Sequence, residues 1–221
     1  FSISDYKLDF GLQYTYKLNK KNTINIGAVY TLGRTLHGDA YKYHQTGAES
    51  NGSIYVQSQT GDTIPNPFKM PHTFGIGLTY VYDNRLTIGV DYTLQKWNTA
   101  DLAWSKFNKE SVEMNSRTKI AFGAEFVPSY ISHNYLKRIR YRMGAYYSSP
   151  YNKVSYTSPD TGTTSFQDGA REYGVSIGFG LPMFQSKSML NISGQYIKVS
   201  PKFKGLMEEN YLRINLSLIH I

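Results

Sequence analysis

Met70-Pro71-His72-Thr73-Phe74-Gly75-Ile76-Gly77-Leu78-Thr79-Tyr80-Val81-Tyr82-Asp83-Asn84-Arg85-Leu86-Thr87-Ile88-Gly89-Val90-Asp91-Tyr92-Thr93-Leu94-Gln95-Lys96-Trp97 reads as a complete β-hairpin. In its second arm Leu86, Ile88, Val90, Tyr92 and Leu94 share one face, and Thr87, Gly89, Asp91, Thr93 and Gln95 share the other, a strict period of two. The first arm divides the same way, with Phe74, Ile76, Leu78, Tyr80 and Tyr82 set against Thr73, Gly75, Gly77 and Thr79. Asp83-Asn84 supplies two residues that tolerate positive φ and predicts a two-residue turn. Each arm runs to about ten residues, whereas strands of soluble proteins average about five or six. About ten is the length a tilted strand needs to cross a bilayer, with apolar side chains toward lipid and polar or small ones toward a lumen.

Composition agrees. The 221 residues include 20 Tyr and 19 Gly, and the mean hydropathy of -0.43 is the mildly polar average expected of alternating lipid-facing and lumen-facing residues. No apolar run approaches the roughly 18 residues of a transmembrane helix. Cysteine is absent, which excludes disulfides, thiolate metal sites and a Cys nucleophile. The formal net charge is +8. No basic helix or RNA-binding strand signature accompanies it, so the charge reads as a solvated rim facing anionic headgroups, without a nucleic-acid partner. Phe1-Ser2-Ile3-Ser4 leads almost at once into a strand without an export signal, and the chain is therefore expected to be a piece of a longer exported protein.

The same alternation recurs along the chain and predicts strands over residues 5–18, 23–35, 117–127, 138–148, 171–181, 188–199 and from 209 onward. The connections alternate short and long: 19–22, then 37–71, then Asp83-Asn84, then 98–116. A single helical turn is expected over 101–107, and 37–71 and 149–170 read as irregular polar loops. Short turns on one side and long loops on the other are the asymmetry of an outer-membrane barrel, with the short side periplasmic. Aromatic girdles fit it, with Tyr16, Tyr82 and Phe126 on the turn side and Tyr6, Tyr30, Tyr92, Trp97, Tyr147 and Tyr173 on the loop side. The expected fold is an all-β antiparallel transmembrane barrel, of which about nine strands are present; a soluble sandwich with these aromatics in its core is the rival.

Pro71, Gly75-x-Gly77-x-x-Tyr80, Asp83-Asn84-Arg85-Leu86, Asp91-Tyr92 and Trp97 together resemble the FadL-type long-chain fatty acid transporters. So does Tyr141-Arg142-Met143-Gly144-Ala145-Tyr146-Tyr147-Ser148-Ser149-Pro150, and Gly178-Phe179-Gly180-Leu181-Pro182 with Glu209-Asn210-Tyr211-Leu212-Arg213-Ile214 looks like Bacteroidetes members. The resemblance implies a barrel of about fourteen strands closed by an N-terminal hatch. This chain then supplies the C-terminal portion, and residues 37–71 match by position a loop at the entry for hydrophobic substrates. The ending departs from that pattern, since Leu216-Ser217-Leu218-Ile219-His220-Ile221 lacks a terminal aromatic and is what a common transposon-adaptor DNA encodes. A non-native tail over 216–221 is expected.

His37, His44, His72, His133 and His220 are scattered without metal-ligand spacing and without a Ser-elbow motif, so neither a metal, a cofactor nor catalytic chemistry is expected. Lys7, Asp9, Asp91, Lys119, Glu125, Arg140, Arg142 and Arg213 fall on the lumen face. Glu125 is expected opposite Arg140. Such charges either anchor a hatch and solvate the interior, or, at Arg140 or Arg142, meet a fatty acid carboxylate. Gly174, Gly178 and Gly180 either leave room for an acyl chain or relieve crowding. In the long loop Tyr41, Tyr43, Ile54, Tyr55, Val56 and Phe68 are candidates for capturing a hydrophobic substrate. The expected function is a passive outer-membrane channel for long-chain fatty acids or other hydrophobic molecules, monomeric when full length, with membrane lipid and the substrate as partners. A structural or secretion-system barrel is the alternative, and an outer-membrane phospholipase or protease, marked by a Ser or Asp beside His72, a further one.

Overall fold

The computed structural model describes residues 2–50, 53–66, 68–99, 113–157, 164–183, 188–201 and 207–220. Nine long strands form one antiparallel sheet in strict chain order: β1 (Asp9–Lys17), β2 (Asn22–Thr31), β3 (Thr73–Tyr82), β4 (Leu86–Gln95), β5 (Arg117–Phe126), β6 (Arg140–Ser148), β7 (Ala170–Pro182), β8 (Ser188–Pro201) and β9 (Glu209–His220). It is an up-and-down wall, with each strand paired to its neighbours in sequence. β1 and β9 are its two edges and do not pair with each other, so the barrel is not closed.

Register carries the alternation across the whole wall. Gln13 stands opposite Gly27, Gly27 opposite Gly77, Gly77 opposite Asp91, Asp91 opposite Ala121, Ala121 opposite Tyr146 and Tyr146 opposite Gly174. One step along each strand, Leu12, Ala28, Ile76, Tyr92, Ile120 and Tyr147 form the matching row of the other face. The apolar face is uncovered: Leu12 is 75% exposed, Ile177 62% and Ile214 76%. A soluble sandwich would bury such residues, whereas a wall facing lipid leaves them outward. Among the described residues the buried hydrophobics are Ala40, Ile64, Val127, Ile139 and Ile197. The barrel reading is therefore correct and the sandwich is not.

The aromatic girdles are present on the apolar face. On the loop side Phe10, Tyr30, His72 and Phe74 form a line of neighbouring rings, with Tyr30 and His72 stacked at 6.0 Å, and Tyr147 meets Tyr173 at 5.1 Å. On the turn side Tyr141 meets Phe179 edge-on at 5.9 Å.

Several local expectations are corrected. The β3–β4 connection has three residues, 83–85, with Asp83 and Asn84 both at positive φ as their side chains permit, and with the Arg85 amide donating to the Tyr82 carbonyl. Residues 37–71 are not an irregular loop: Gly38–Ser50 and Ser53–Pro65 pair as a long hairpin with a bulge between Thr46 and Gly47. Ser2–Ile3 pairs with its base. Within 149–170, Lys153–Thr157 pairs with Thr164–Asp168. Polar residues interrupt both faces of each hairpin, so neither shows the sustained hydrophobic periodicity that marks a strand in sequence. β6 begins at Arg140. Ile139 ends a short turn of 3-10 helix (Tyr135–Arg138) and is buried with Val127 instead of facing lipid. The helical turn expected over 101–107 lies outside the described residues.

Candidate functional site: the lumen wall

The polar face is built from small residues at mid-depth and charges toward both ends. Gly89, Gly123 and Gly144 face one another across β4, β5 and β6. A Cβ added at Gly123 would meet nothing within 4 Å. A Cβ at Gly144 would come within 2.9 Å of Ser176 Oγ, and other glycines are occupied more closely by a neighbour. The Tyr146 ring lies over Gly174, where a Cβ would come within 2.0 Å of it, and the Asp91 carboxylate lies over Gly77. Gly178 and Gly180 stand opposite Arg142 and Arg140, and a Cβ at Gly180 would come within 3.1 Å of the Arg140 Cβ. Of the two readings of these inward glycines, relief of crowding is what this geometry supplies at 174, 178 and 180.

Toward the turn side, Glu125 holds both arginines. Arg140 Nη1 donates to Oε1 at 3.1 Å and Arg142 Nε to Oε2 at 2.6 Å, while Arg142 Nη1 donates to Asn191 Oδ1 at 2.8 Å. In the register, Glu125 is opposite Arg142, one pair along from the position expected, because the β5–β6 ladder starts at Phe126–Tyr141. Arg140 reaches the same carboxylate from the next lumen-facing position. All three side chains are only partly exposed, so the cluster is a structural ion triad on the lumen surface. A carboxylate ligand would have to share the guanidinium groups with Glu125.

Toward the loop side, Glu172 accepts from the Tyr146 hydroxyl and faces Arg117 at 3.7 Å, Arg117 Nε donates to Ser148 at 2.7 Å, and Lys119 lies over the Tyr146 ring at 4.6 Å. Sequence reading put Lys119 on this face but missed the Tyr146–Glu172 pairing. The available signal was an aromatic residue facing a glycine across a strand pair. Lys7 pairs with Asp9 at 3.0 Å just before β1 becomes regular, and Arg213 stands on the lumen face of β9 opposite Gln195.

Two concavities mark the wall. One of about 440 Å³ is lined by Gln13, Asn25, Gly27, Gly77, Thr79 and Asp91. The other, of about 330 Å³, is lined by Arg142, Ser176, Asn191, Ser193, Gln195 and Asn215. Both linings mix polar and apolar groups, with Leu12 and Val29 in the first and Met143 and Ile192 in the second.

The candidates of the long loop lie in or beside the outer hairpin. Phe68 lies at the hairpin base, about a third exposed, with its carbonyl accepting from the Leu36 amide at 2.9 Å. Tyr55 belongs to the outer hairpin strand opposite Ala48, and its side chain lies outside the described residues. The hairpin base is tied by Asp5. Its carboxylate accepts from the amides of Tyr6 (2.7 Å) and His37 (2.9 Å) and pairs with Arg34 at 3.2 Å. The two backbone amides, His37 first, are the main reason its pKa falls from 3.8 to about 2. His72 accepts the Gly33 amide at 3.2 Å on Nδ1 and lies 2.8 Å from the Tyr30 hydroxyl through the same nitrogen. Its partners are thus a girdle tyrosine and a backbone amide, not the Ser or Asp that an enzyme reading requires. Among the described residues no three His, Asp or Glu side chains gather as metal ligands.

The crystal structure of the P. putida toluene transporter TodX has the same fold, with a TM-score of 0.50 and 16% sequence identity over 94% of this chain and 47% of that one. The chain thus spans about half the length of that protein. Among curated proteins none matches the sequence. The BamG family matches residues 1–220, nearly the whole chain. An exposed apolar band on one face of an antiparallel meander, a polar wall on the other and this match make the chain part of an outer-membrane β-barrel that belongs to the BamG family.

Proposed function

We propose that the full-length protein is a passive outer-membrane channel of FadL type for hydrophobic molecules, with long-chain fatty acids as the substrate class that the sequence resemblance suggests. The carrying observation is the row of glycines at the middle of the lumen wall, Gly89, Gly123 and Gly144, where a side chain at Gly123 would project into open space. The charges at either end are held in ion pairs within the wall, with one cation in excess beside Glu125 and one beside Glu172, which favours a plug or ordered water lying against it. The fold shared with a toluene transporter supports the reading. No catalytic step, metal or cofactor belongs to it. The test is uptake by the full-length protein in liposomes, with toluene and oleate as probes. Gly123→Trp is expected to slow uptake several-fold and Gly123→Ala to leave it unchanged, both with normal heat-modifiability on gels. Equal uptake in all three proteins would count against a path along this wall.

Family membership favours a second reading. In that reading the BamG-family barrel is a structural partner in outer-membrane assembly or secretion, and its wall ion triad stiffens it. Depletion in the native cell separates the two. Loss of many other outer-membrane barrels, with no uptake by the purified protein, would favour assembly.

A further inference from the structure

The two ends of the wall differ in charge. The loop end mixes Asp5, Asp39, Asp62, Glu113, Asp168 and Glu172 with its lysines and arginines. At the turn end Lys20, Lys21, Arg85, Lys137 and Arg138 face a single carboxylate outside the strands, Asp83. The turns that carry these cations are joined to one another by backbone hydrogen bonds. The Asp83 amide donates to the Lys21 carbonyl, joining the β1–β2 turn to the β3–β4 turn. Arg85 donates to the carbonyls of Val127 and Pro128, and the Val127 amide donates to the Arg85 carbonyl, joining the second turn to the β5–β6 connection. Arg85 thereby keeps its full charge while its orientation is fixed by backbone.

Between the last two lies a concavity of about 650 Å³ lined by Asp83, Arg85, Ser129, Tyr130, Ser132 and Lys137, with Ile131 at its lip. Two apolar side chains project beside the cations: Ile131 is 92% exposed and Leu136 62%. The Leu136 carbonyl accepts from the Tyr141 hydroxyl at 3.0 Å, and Tyr141 belongs to the lipid-facing girdle. The patch is therefore continuous with the lipid face at the depth where that face ends.

We propose that this connection forms a binding site for the phosphate headgroup of an anionic phospholipid in the periplasmic leaflet, with Arg85 and Lys137 meeting the phosphate, Arg138 adding charge next to Lys137 in the chain, and Ile131 and Leu136 entering the acyl boundary. Serine hydroxyls at 129 and 132 supply further donors to phosphate oxygens. Charge complementarity together with an apolar flank selects a lipid over a soluble anion, because only a lipid satisfies both halves of the patch.

The experiment uses the full-length protein in micelles containing equal phosphatidylglycerol and phosphatidylcholine, with retained lipids counted by native mass spectrometry. The wild type is expected to retain phosphatidylglycerol preferentially, and Lys137→Gln/Arg138→Gln to lower that preference about tenfold. Ile131→Ser/Leu136→Ser is expected to reduce retention of the lipid. Should the cation variant lose heat-modifiability, the wild type titrated with sodium chloride gives the same readout, since the preference must fall as salt screens the contact. Equal retention of the two lipids, or a preference that survives both the cation variant and high salt, overturns the proposal and points the cations toward an acidic protein. Equal competition by soluble glycerophosphate, with no effect of the serine variant, overturns it in favour of a free phosphate site. None of these outcomes depends on whether the barrel transports.

Discussion

Ile88 and Thr87 are neighbours near the start of β4, yet they belong to different solvents. Ile88 stands opposite Tyr80 and Ala124 on the apolar face, and Thr87 opposite Val81 and Glu125 on the polar face. A lysine on the lipid face costs about 2–4 kcal/mol at mid-depth and less near the interface, while a lumen position solvates it. Ile88→Lys in the full-length protein is therefore expected to lower unfolding stability by about 1–3 kcal/mol, given its position toward the turn end, and Thr87→Lys clearly less. A nitroxide at 88 should be relaxed by oxygen dissolved in the bilayer, and one at 87 by a water-soluble nickel reagent. Equal exposure of both to water would be incompatible with a lipid-facing wall. Asp5 offers a second test at this scale. Its folded pKa of about 2 lies below the ordinary 3.8, so its tie to the hairpin base is fully present above about pH 4 and is lost as pH falls through about 2. The amide proton shifts of Tyr6 and His37 should titrate with a midpoint near 2 and lose that titration in Asp5→Asn. A midpoint near 4 would mean that the carboxylate is not held by these amides.

At the scale of elements, the long hairpin Gly38–Ser50/Ser53–Pro65 stands on the loop side and is joined to the wall by Arg34–Thr35 pairing with Lys69–Met70, by Ser2–Ile3 and by Asp5. Its exposed residues Tyr41 and Tyr43 share one face, with the Tyr43 ring against Gly61. Gln45 stands opposite Gln59. Replacing residues 46–58 with a two-residue turn therefore keeps the lower ladder. In the full-length protein it is expected to weaken capture of a hydrophobic substrate, read as slower uptake at low substrate concentration, without lowering heat-resistance on gels. Unchanged uptake would remove the outer hairpin from the mechanism. The nine wall strands were legible in sequence because one apolar and one polar solvent impose a period of two on every one of them. The outer hairpin was not, because its apolar residues, the buried pair Ala40 and Ile64 among them, are too interrupted by polar ones to set a sustained period. The ion triad was half legible: alternation placed Glu125, Arg140 and Arg142 on one face, but which arginine is opposite Glu125 depends on where the β5–β6 ladder begins. That start adjoins a connection, flanked by the buried Val127 and Ile139, whose sequence has no periodic signal.

For the whole molecule, the decisive feature is the pair of open edges. β1 is exposed along its entire length, and β9 is exposed from Glu209 to Ile219. In the order of the sheet each has a partner on one side only. Backbone amides and carbonyls on an open edge cannot be satisfied by hydrocarbon, and each unsatisfied group in lipid costs several kcal/mol. Two free edges of nine and twelve residues place that cost far above what a marginally stable fold can bear. The 221 residues expressed alone are therefore expected to aggregate or to pair edge to edge, and not to insert into a bilayer as a protease-resistant monomer. Co-expression with a separately encoded segment supplying the remaining wall should restore insertion if edge closure is what is missing. The measurement is heat-modifiable migration and trypsin resistance after refolding into vesicles, with the 221-residue chain, the complementing segment and both together. A stable inserted monomer of the 221-residue chain by itself would show that β1 and β9 can meet, and that the native barrel closes on nine strands.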